Sequence, residues 1–338
     1  MTEFDLISRY FSRPSFDKTV VIGVGDDAAV VNPPAQELLV FTTDTLIEGR
    51  HFLPTISAQT LAKRVIAVNV SDLAAMGAQP RYALLSLTLP QLDEQWLAQF
   101  SESFYTAAHR YHLDLIGGNT TRGATMSIGL TAVGSAPGDL IFKRSGAQAG
   151  DDIWVSGSLG GAALGLLLCQ SSQEPAWQHL SVAQRCDLIS RYETPAPRVA
   201  LGLGLRGLAS SCIDLSDGLA GDVAHVAKAS KLCFVIDVDR LPLHEALTTR
   251  GHREQNQSSQ SLFALHLAVS GGDDYELCFT AAVAQRAAIE RLSQALDVPL
   301  TRIGEVWPAS QGDTSIIWMR DGTVFPMAMS GFDHFVSV

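Results

Sequence analysis

The sequence predicts an α+β protein made of two mixed α/β domains. Three observations predict it. Helix-period and strand-period apolar patterns interleave along the whole chain. The length, 338 residues, is too great for one ordinary domain and suits two. A loop-rich run, SAPGDLIFKRSGAQAGD, lies around residues 136–151, after which a strand pattern starts afresh. The expected division is 1–137 and 138–338.

In order, Glu3 to Phe11 reads as a short amphipathic helix, and Val20 to Val24 and Leu38 to Thr43 as strands. Ala58 to Gly77 is a long helical pattern, closed by Gly77 and Pro80. Tyr82 to Leu89 is a strand that stops at Pro90, and Asp93 to Tyr111 is a helix. Leu113 to Ile116 and Met126 to Gly134 are strands. The second half opens with a strand, Asp152 to Ser156, and a glycine-led helix. Further helices are expected near 180–192, 198–210, 218–231 and 282–296, and strands near 212–215, 233–238, 275–280, 300–306 and 315–319. His252 to Ser261, the most polar stretch, reads as a surface loop. NVSDLAAMG from Asn69 and DLSDGLAGD from Asp214 echo each other and hint at a duplicated architecture.

Hydrophobic residues make up 46% and charged residues 17%, enough to build a core and against disorder. The net charge of −11 repels a bare phosphate backbone, which argues against a nucleic-acid binder. A small phosphate ligand arriving with a divalent cation remains compatible with it. The five cysteines form no CxxC and no zinc spacing, so they read as small hydrophobes in a reducing cytosol. MTEFDLISRYF has no basic run ahead of an apolar one and is not a signal peptide. The solid apolar run Ala162 to Cys169 is far shorter than the roughly 20 residues of a membrane span. The expected place is the cytoplasm, with no membrane partner.

Several acids sit in glycine-rich or apolar surroundings: Asp26, Asp27, Asp44, Asp72, Asp214, Asp217, Asp273 and Asp274. A carboxylate there loses hydration and needs a donor, a cation or a proton. Asp72 shares a helix face with Asn69, three residues back, in an otherwise apolar helix. It reads as a metal ligand, or else as a partner of a backbone amide. Asp214, Ser216 and Asp217 stand between a strand and a helix, where an N-cap is the simple alternative. Asp44 follows two threonines and is either a ligand or a turn residue. Carboxylates beside hydroxyls suit Mg²⁺, which keeps waters and shares substrate phosphates.

No GxxxxGK[ST] occurs, so this is not a P-loop protein. A GxGxxG at Gly202, Gly204 and Gly207 lacks the preceding strand and lies in a helical pattern. GSLGGAALG, from Gly157 to Gly165, follows a strand and either offers amides to an anion or serves close packing. GGNTTRG, from Gly117 to Gly123, reads as a backbone loop that approaches a ligand. Arg122 and Arg144 are candidate phosphate contacts or plain surface charge, and His51 by itself reads as structural. No GxSxG elbow supports a hydrolase triad.

The motifs GVGDDAAV, TTDTLIEGRHF, VNVSDLAAMGAQP, LIGGNTTRG, KRSGAQAGD, IDLSDGLAGD, SGGDDYELCFT and GFDHF, in this order, resemble the thiamine-monophosphate kinases, in the superfamily of aminoimidazole ribonucleotide synthase. The resemblance runs nearly end to end. It implies transfer of a phosphoryl group from ATP to thiamine monophosphate, giving thiamine diphosphate. It implies several Mg²⁺ ions on Asp27, Asp44, Asp72, Asp214 and Asp217, helped by Thr42 and Thr43. It places ATP on Gly118, Asn119, Arg144 and Ser216, and thiamine monophosphate on His51, Asp273 and Phe332. It further implies a homodimer, with an N-terminal sheet forming a barrel-like interface, and a C-terminal α/β domain completing the active site. Two departures stand out. The family's GGDTTRG is GGNTTRG here, so Asn119 is an uncharged metal ligand; the family's SGGEDYEL is SGGDDYEL, so Asp273 is one methylene shorter.

An acceptor phosphate is already ionised at neutral pH, so the expected mechanism is in-line transfer without a general base or covalent nucleophile. One alternative keeps the fold and has ATP activate a carbonyl or carbamoyl oxygen. Another is a regulatory module that binds Mg-nucleotide or Ca²⁺ without turnover.

Overall fold

Ser57 starts the longest helix of the first half: its hydroxyl accepts the N–H of Thr60, an end-cap hydrogen bond. That helix, α2 (Ala58–Ala75), is buried over nearly its whole length, and ends where Ala78 N–H bonds back to Leu73 O. In the computed structural model of the chain, residues 2–171, 177–248, 257–309 and 315–327 are described. The chain divides into two units, Met1–Ile141 and Phe142–Val338.

The first unit begins with α1 (Glu3–Leu6), whose helical path continues in wider turns through Ile7–Phe11. A two-stranded antiparallel ribbon follows, β1 (Val20–Ile22) with β2 (Val30–Val31). A four-stranded sheet comprises β3 (Glu37–Ile47), β4 (Gln79–Leu89), β5 (Asp114–Arg122) and β6 (Ser127–Pro137) in the order β3-β6-β4-β5. Only β4 and β5 run parallel. Helix α2 packs on β3, β6 and β4, and α3 (Glu94–Arg110), capped by Asp93, packs on α2 and β5. The core holds Leu61, Ile66, Leu73, Leu87, Phe100 and Ile128, all but sealed from solvent. Each such side chain stabilises the fold by about 1.5–3 kcal/mol relative to exposure.

One element differs from the sequence reading. The strand expected to stop at Ile116 runs on to Arg122, so GGNTTR is strand, not loop. The reason is steric. A Cβ on Gly118 would stand 1.9 Å from the carbonyl oxygen of Leu85. The glycine lets β5 lie against β4 beside a register irregularity at Ala83/Leu84.

The second unit holds a seven-stranded sheet: β7 (Asp152–Ser156), β8 (Ser211–Asp214), β9 (Leu232–Asp237), β10 (Leu277–Ala281), β11 (Leu300–Pro308), β12 (Ile316–Arg320) and β13 (Thr323–Val324). Their order is β13-β12-β9-β11-β7-β10-β8, antiparallel except for β12 with β9. Strands β7 and β10 are buried at every residue. Asp152, buried on β7, is held by Arg286 at 2.6 and 2.7 Å and by Arg302 at 3.0 Å.

The helices are α4 (Gly161–Gln170), α5 (Val182–Glu193), α6 (Val199–Gly204), α7 (Leu219–Ser230), α8 (Glu245–Thr248), α9 (Gln257–Ser270) and α10 (Arg286–Leu296). The helix expected over 198–210 stops at Gly204. Helices α8 and α9 were not expected; residues 257–261 of the supposed polar loop are helical, and 252–256 lie outside the described residues. Gly202 and Gly204 of the GxGxxG fall inside α6. All five cysteines are free; Cys212, Cys233 and Cys278 are buried, while Cys186 is exposed. Among the described residues no helix is long and apolar enough to cross a membrane.

Candidate active site

Successive side chains of a strand point to opposite faces, and this parts the residues of the TTD run on β3. Thr42 donates its hydroxyl to Asp72 Oδ2 on α2. The Asp44 N–H donates to Asn69 Oδ1 at 3.1 Å, and Asn69 Nδ2 is tied to Val65 O at 3.0 Å. Thr42, Asp44, Asn69 and Asp72 therefore form one group on the helix side of the sheet. Thr43 lies on the opposite, open face, where Thr131 donates to its hydroxyl at 3.1 Å.

That open face floors a cavity of about 930 Å³, within the first unit, lined among others by Asp26, Asp27, Thr43, Ser86, Gly118 and Asn119. Two cross-strand rows build the floor. One runs Thr43, Thr131, Leu84, Gly117; the other runs Thr45, Gly129, Ser86, Asn119. Small and hydroxyl side chains dominate both rows, leaving room and donors above the sheet. Asp26 and Asp27 were read as poorly hydrated, but both are exposed, and the Asp27 N–H bonds Asp26 Oδ1 at 2.8 Å. The glycine-rich segment around them covers no side chain deeply enough to dry it. His51 accepts the Ile47 N–H at Nδ1, 3.0 Å, closing the turn after β3.

In the second unit, β8 delivers buried Asp214 to the strand's end. Ser216 and Asp217 follow in the turn, but neither caps α7: its N-cap is Gly218, without a side-chain bond. Instead the Asp217 N–H donates to Asp222 Oδ2 at 3.1 Å. Asp222, buried on the first turn of α7, enters the sequence reading only as the acid twenty residues after Gly202 in the dismissed GxGxxG pattern, not as a member of this group. Burial above all pushes its carboxyl well above the ordinary range, and the charges of Asp214 and Asp217 push the same way. Arg144 pulls in the opposite direction. Arg144 is exposed, on a turn whose carbonyl takes the Ser230 hydroxyl at 2.7 Å. The Asp273 N–H donates to Ser216 O at 2.8 Å, so Asp273 joins this group. Phe332 lies outside the described residues.

The glycine-led turn before α4 has an internal anion. Asp274 accepts Gly160 N–H at 2.8 Å and Ala162 N–H at 3.3 Å. Of the two sequence readings of GSLGGAALG, close packing is met at Gly165, where a Cβ would stand 2.0 Å from Leu188 O, and the anion on the amides is the chain's own Asp274.

Among the described residues no three or more His, Cys, Asp or Glu side chains close on one point as a metal cage. The carboxylates that do approach one another supply hard oxygens. The crowding of Asp214, Asp217 and Asp222 is of the kind a cation relieves. Such partial donor sets match Mg²⁺, which completes its shell with water and phosphate oxygens.

Residues 25–136 match the family described as AIR synthase related protein, N-terminal domain, which gives the broad class of this first unit. Within that class, the thiamine-monophosphate kinase of Escherichia coli K12 is 43% identical over 99% of this chain and 98% of its own length. The crystal structure of the Stenotrophomonas maltophilia K279a thiamine-monophosphate kinase aligns with TM-score 0.81 at 41% identity, covering 95% of this chain and 97% of that one. AaThiL complexed with AMPPCP and TMP aligns with TM-score 0.73 at 29% identity, over 98% and 96%. The chain belongs to the thiamine-monophosphate kinase family.

Proposed function

We propose that the chain phosphorylates thiamine monophosphate with ATP, yielding thiamine diphosphate and ADP. The observation that carries this reading is the 43% identity to a thiamine-monophosphate kinase across nearly the full length of both chains. A relative that holds AMPPCP and TMP together supports the pair of substrates.

The attacking atom is an oxygen of the acceptor phosphate, which carries negative charge at neutral pH. The enzyme's task is therefore to align two anions and screen their repulsion. The transfer then calls for neither a covalent nucleophile nor a general base. Asp44 and Asp72 with Thr42, on the helix side of the first sheet, and Asp214 with Asp217, in the second unit, would hold Mg²⁺. Asp27, Thr43 and Asn119, on the open face, would do the same there. Bound magnesium supplies charge neutralisation of the phosphates and a fixed line of attack. Gly118, Asn119, Arg144 and Ser216 contact ATP; His51, Asp273 and Phe332 contact thiamine monophosphate. The Nδ1 of His51 is occupied by the Ile47 amide, so its contact to substrate comes from the rest of the ring.

The open face carries Phe41 at 66% exposure, with Leu84 and Ile47 also exposed, on a sheet whose edge strand β3 is eleven residues long. Long apolar edges call for a partner, and a second copy of this chain is the partner we assign, joined through a barrel-like sheet. The place of action is the cytoplasm.

The test is incubation with ATP, Mg²⁺ and thiamine monophosphate, followed by chromatography. Thiamine diphosphate and ADP in equal amounts are expected. ADP release with carbonyl or carbamoyl acceptors, and none with thiamine monophosphate, would replace this reading with ATP-driven oxygen activation.

A further inference from the structure

The SGGDDYE segment, residues 270–276, is stitched to the turn that carries Ser216. The Asp273 N–H bonds Ser216 O and the Tyr275 N–H bonds Leu215 O, both at 2.8 Å. The Leu215 N–H returns to Glu276 O at 2.9 Å. This contact requires unusual backbone. Asp273 and Tyr275 have φ of +63° and +49°, and Gly272 has +69°. A side chain on Gly272 would put its Cβ 2.6 Å from Ser216 O. Left-handed non-glycine residues cost of order 1 kcal/mol each. They persist only where the surroundings hold them.

The residue between the two strained ones supplies a hold. Asp274 turns away from Ser216 and takes two amides at the start of α4, Gly160 and Ala162. Two N–H donors and the positive end of the helix suit a carboxylate there. Glu276, two residues on, is fixed as well, by Ser156 Oγ at 2.5 Å and by Arg198 at 2.6 and 2.5 Å. The segment thus has half-buried Asp274 anchored at the start of α4 and buried Glu276 anchored on Ser156 and Arg198, with Asp273 left at the Ser216 turn.

We propose that Asp274 is a positioning residue for the phosphoryl transfer: by gripping the first turn of α4 it holds Asp273 and the Ser216 turn in register. This rests on the reading that Asp273 meets thiamine monophosphate and Ser216 meets ATP. The grip is sensitive to protonation, because an added proton on the carboxyl opposes an N–H donor. Burial raises the Asp274 carboxyl to about 7; Glu276 adds to the rise, while the Gly160 and Ala162 amides and Arg191 lower it. His244, packed at Gly161, has its pKa lowered by burial, against the pull of Asp187; its Nδ1 accepts the Ala246 N–H and its Nε2 faces Asp187.

The test uses the full-length enzyme with Asp274→Ala, Asp274→Asn and, as a control for the reading, Asp273→Ala. The expected result for Asp274→Ala is a KM for thiamine monophosphate raised by roughly 10–100-fold, with unchanged circular dichroism. Asp274→Asn, which keeps one acceptor oxygen, should recover part of the loss. The acid limb of kcat/KM, expected near pH 7 in the wild type, should move to lower pH in Asp274→Asn. Amide exchange over 214–218 should quicken in the same variant. Unchanged KM, pH profile and exchange in a folded Asp274→Asn would overturn the proposal. So would loss of the fold in both variants, which makes the residue structural only. An unaffected Asp273→Ala, or a wild type that forms no thiamine diphosphate, overturns the underlying reading instead; exchange over 214–218 then still decides the anchoring.

Discussion

Asp72 shows how a single side chain draws on two elements. Its carboxylate lies on α2, takes the Thr42 hydroxyl from β3, and is half-buried in an apolar helix. Replacing it with Asn keeps the shape and removes the charge. We expect Asp72→Asn to melt near the wild type but to turn over at least ~100-fold more slowly, read as ADP release; turnover like the wild type would remove Asp72 from the metal set. Asp274 makes a different prediction. Its carboxyl has a pKa near 7 when folded, against an ordinary 3.8. The folded state therefore holds more protons between those values, and its stability falls as pH rises through that window. Asp274→Asn removes this slope. Its Tm, measured against the wild type, should gain on going from pH 5 to pH 8. The sequence revealed that these acids sit among apolar and glycine neighbours, but not which atom answers each one. Asp274 turned out to be met by amides over a hundred residues away, and Asp222 by an amide five residues before it. Such partners depend on tertiary packing, which no local pattern encodes.

The legible elements were those with a long, clean period. Helices α2 and α3 and strand β7 lie within three residues of expectation, because their apolar spacing and end residues agree. Helix α9 was missed for a physical reason: in LFALHLAVS the apolar Leu262 and Phe263 lie exposed beside His266, so apolar residues occur on the exposed face as well as the buried one and the helical period is lost. β5 was cut short because two adjacent glycines read as a break. The second of them, Gly118, also permits the close approach of two backbones, and this carries a prediction. Gly118→Ala should lower stability by roughly 1–3 kcal/mol through overpacking against Leu85 O, seen as a lower midpoint in urea. A midpoint equal to the wild type would mean that β4 and β5 can part without cost. The same strand geometry explains why Thr42 and Thr43, neighbours in sequence and read as one ligand pair, serve opposite faces.

At the scale of the molecule, charge and apolar surface set the expectations. A chain of net charge −11 whose Asp214, Asp217 and Asp222 crowd one another should gain from cation binding. With Mg²⁺ and ATP at about 100 times the dissociation constant, the folded state should gain ~2.7 kcal/mol. The check is Tm with Mg²⁺ and ATP against Tm in a chelator, and Asp72→Asn should show a smaller gain; no shift in the wild type would speak against metal-nucleotide binding. The exposed Phe41 gives the assembly test. Phe41→Asp should convert a dimer to monomers in light scattering, while a wild type that is already monomeric would remove the assigned partner.

The close approach at Gly118 has one further consequence. In a library of all substitutions scored by growth without added vitamin, Gly118 would be as intolerant as the acids thought to hold magnesium. Such a map alone would not tell its packing role from the nucleotide contact proposed above. Scored by protein abundance in the cell, the two kinds of position should separate: depleted variants at Gly118, where a carbonyl leaves no room for a methyl, and abundant but inert ones at Asp72.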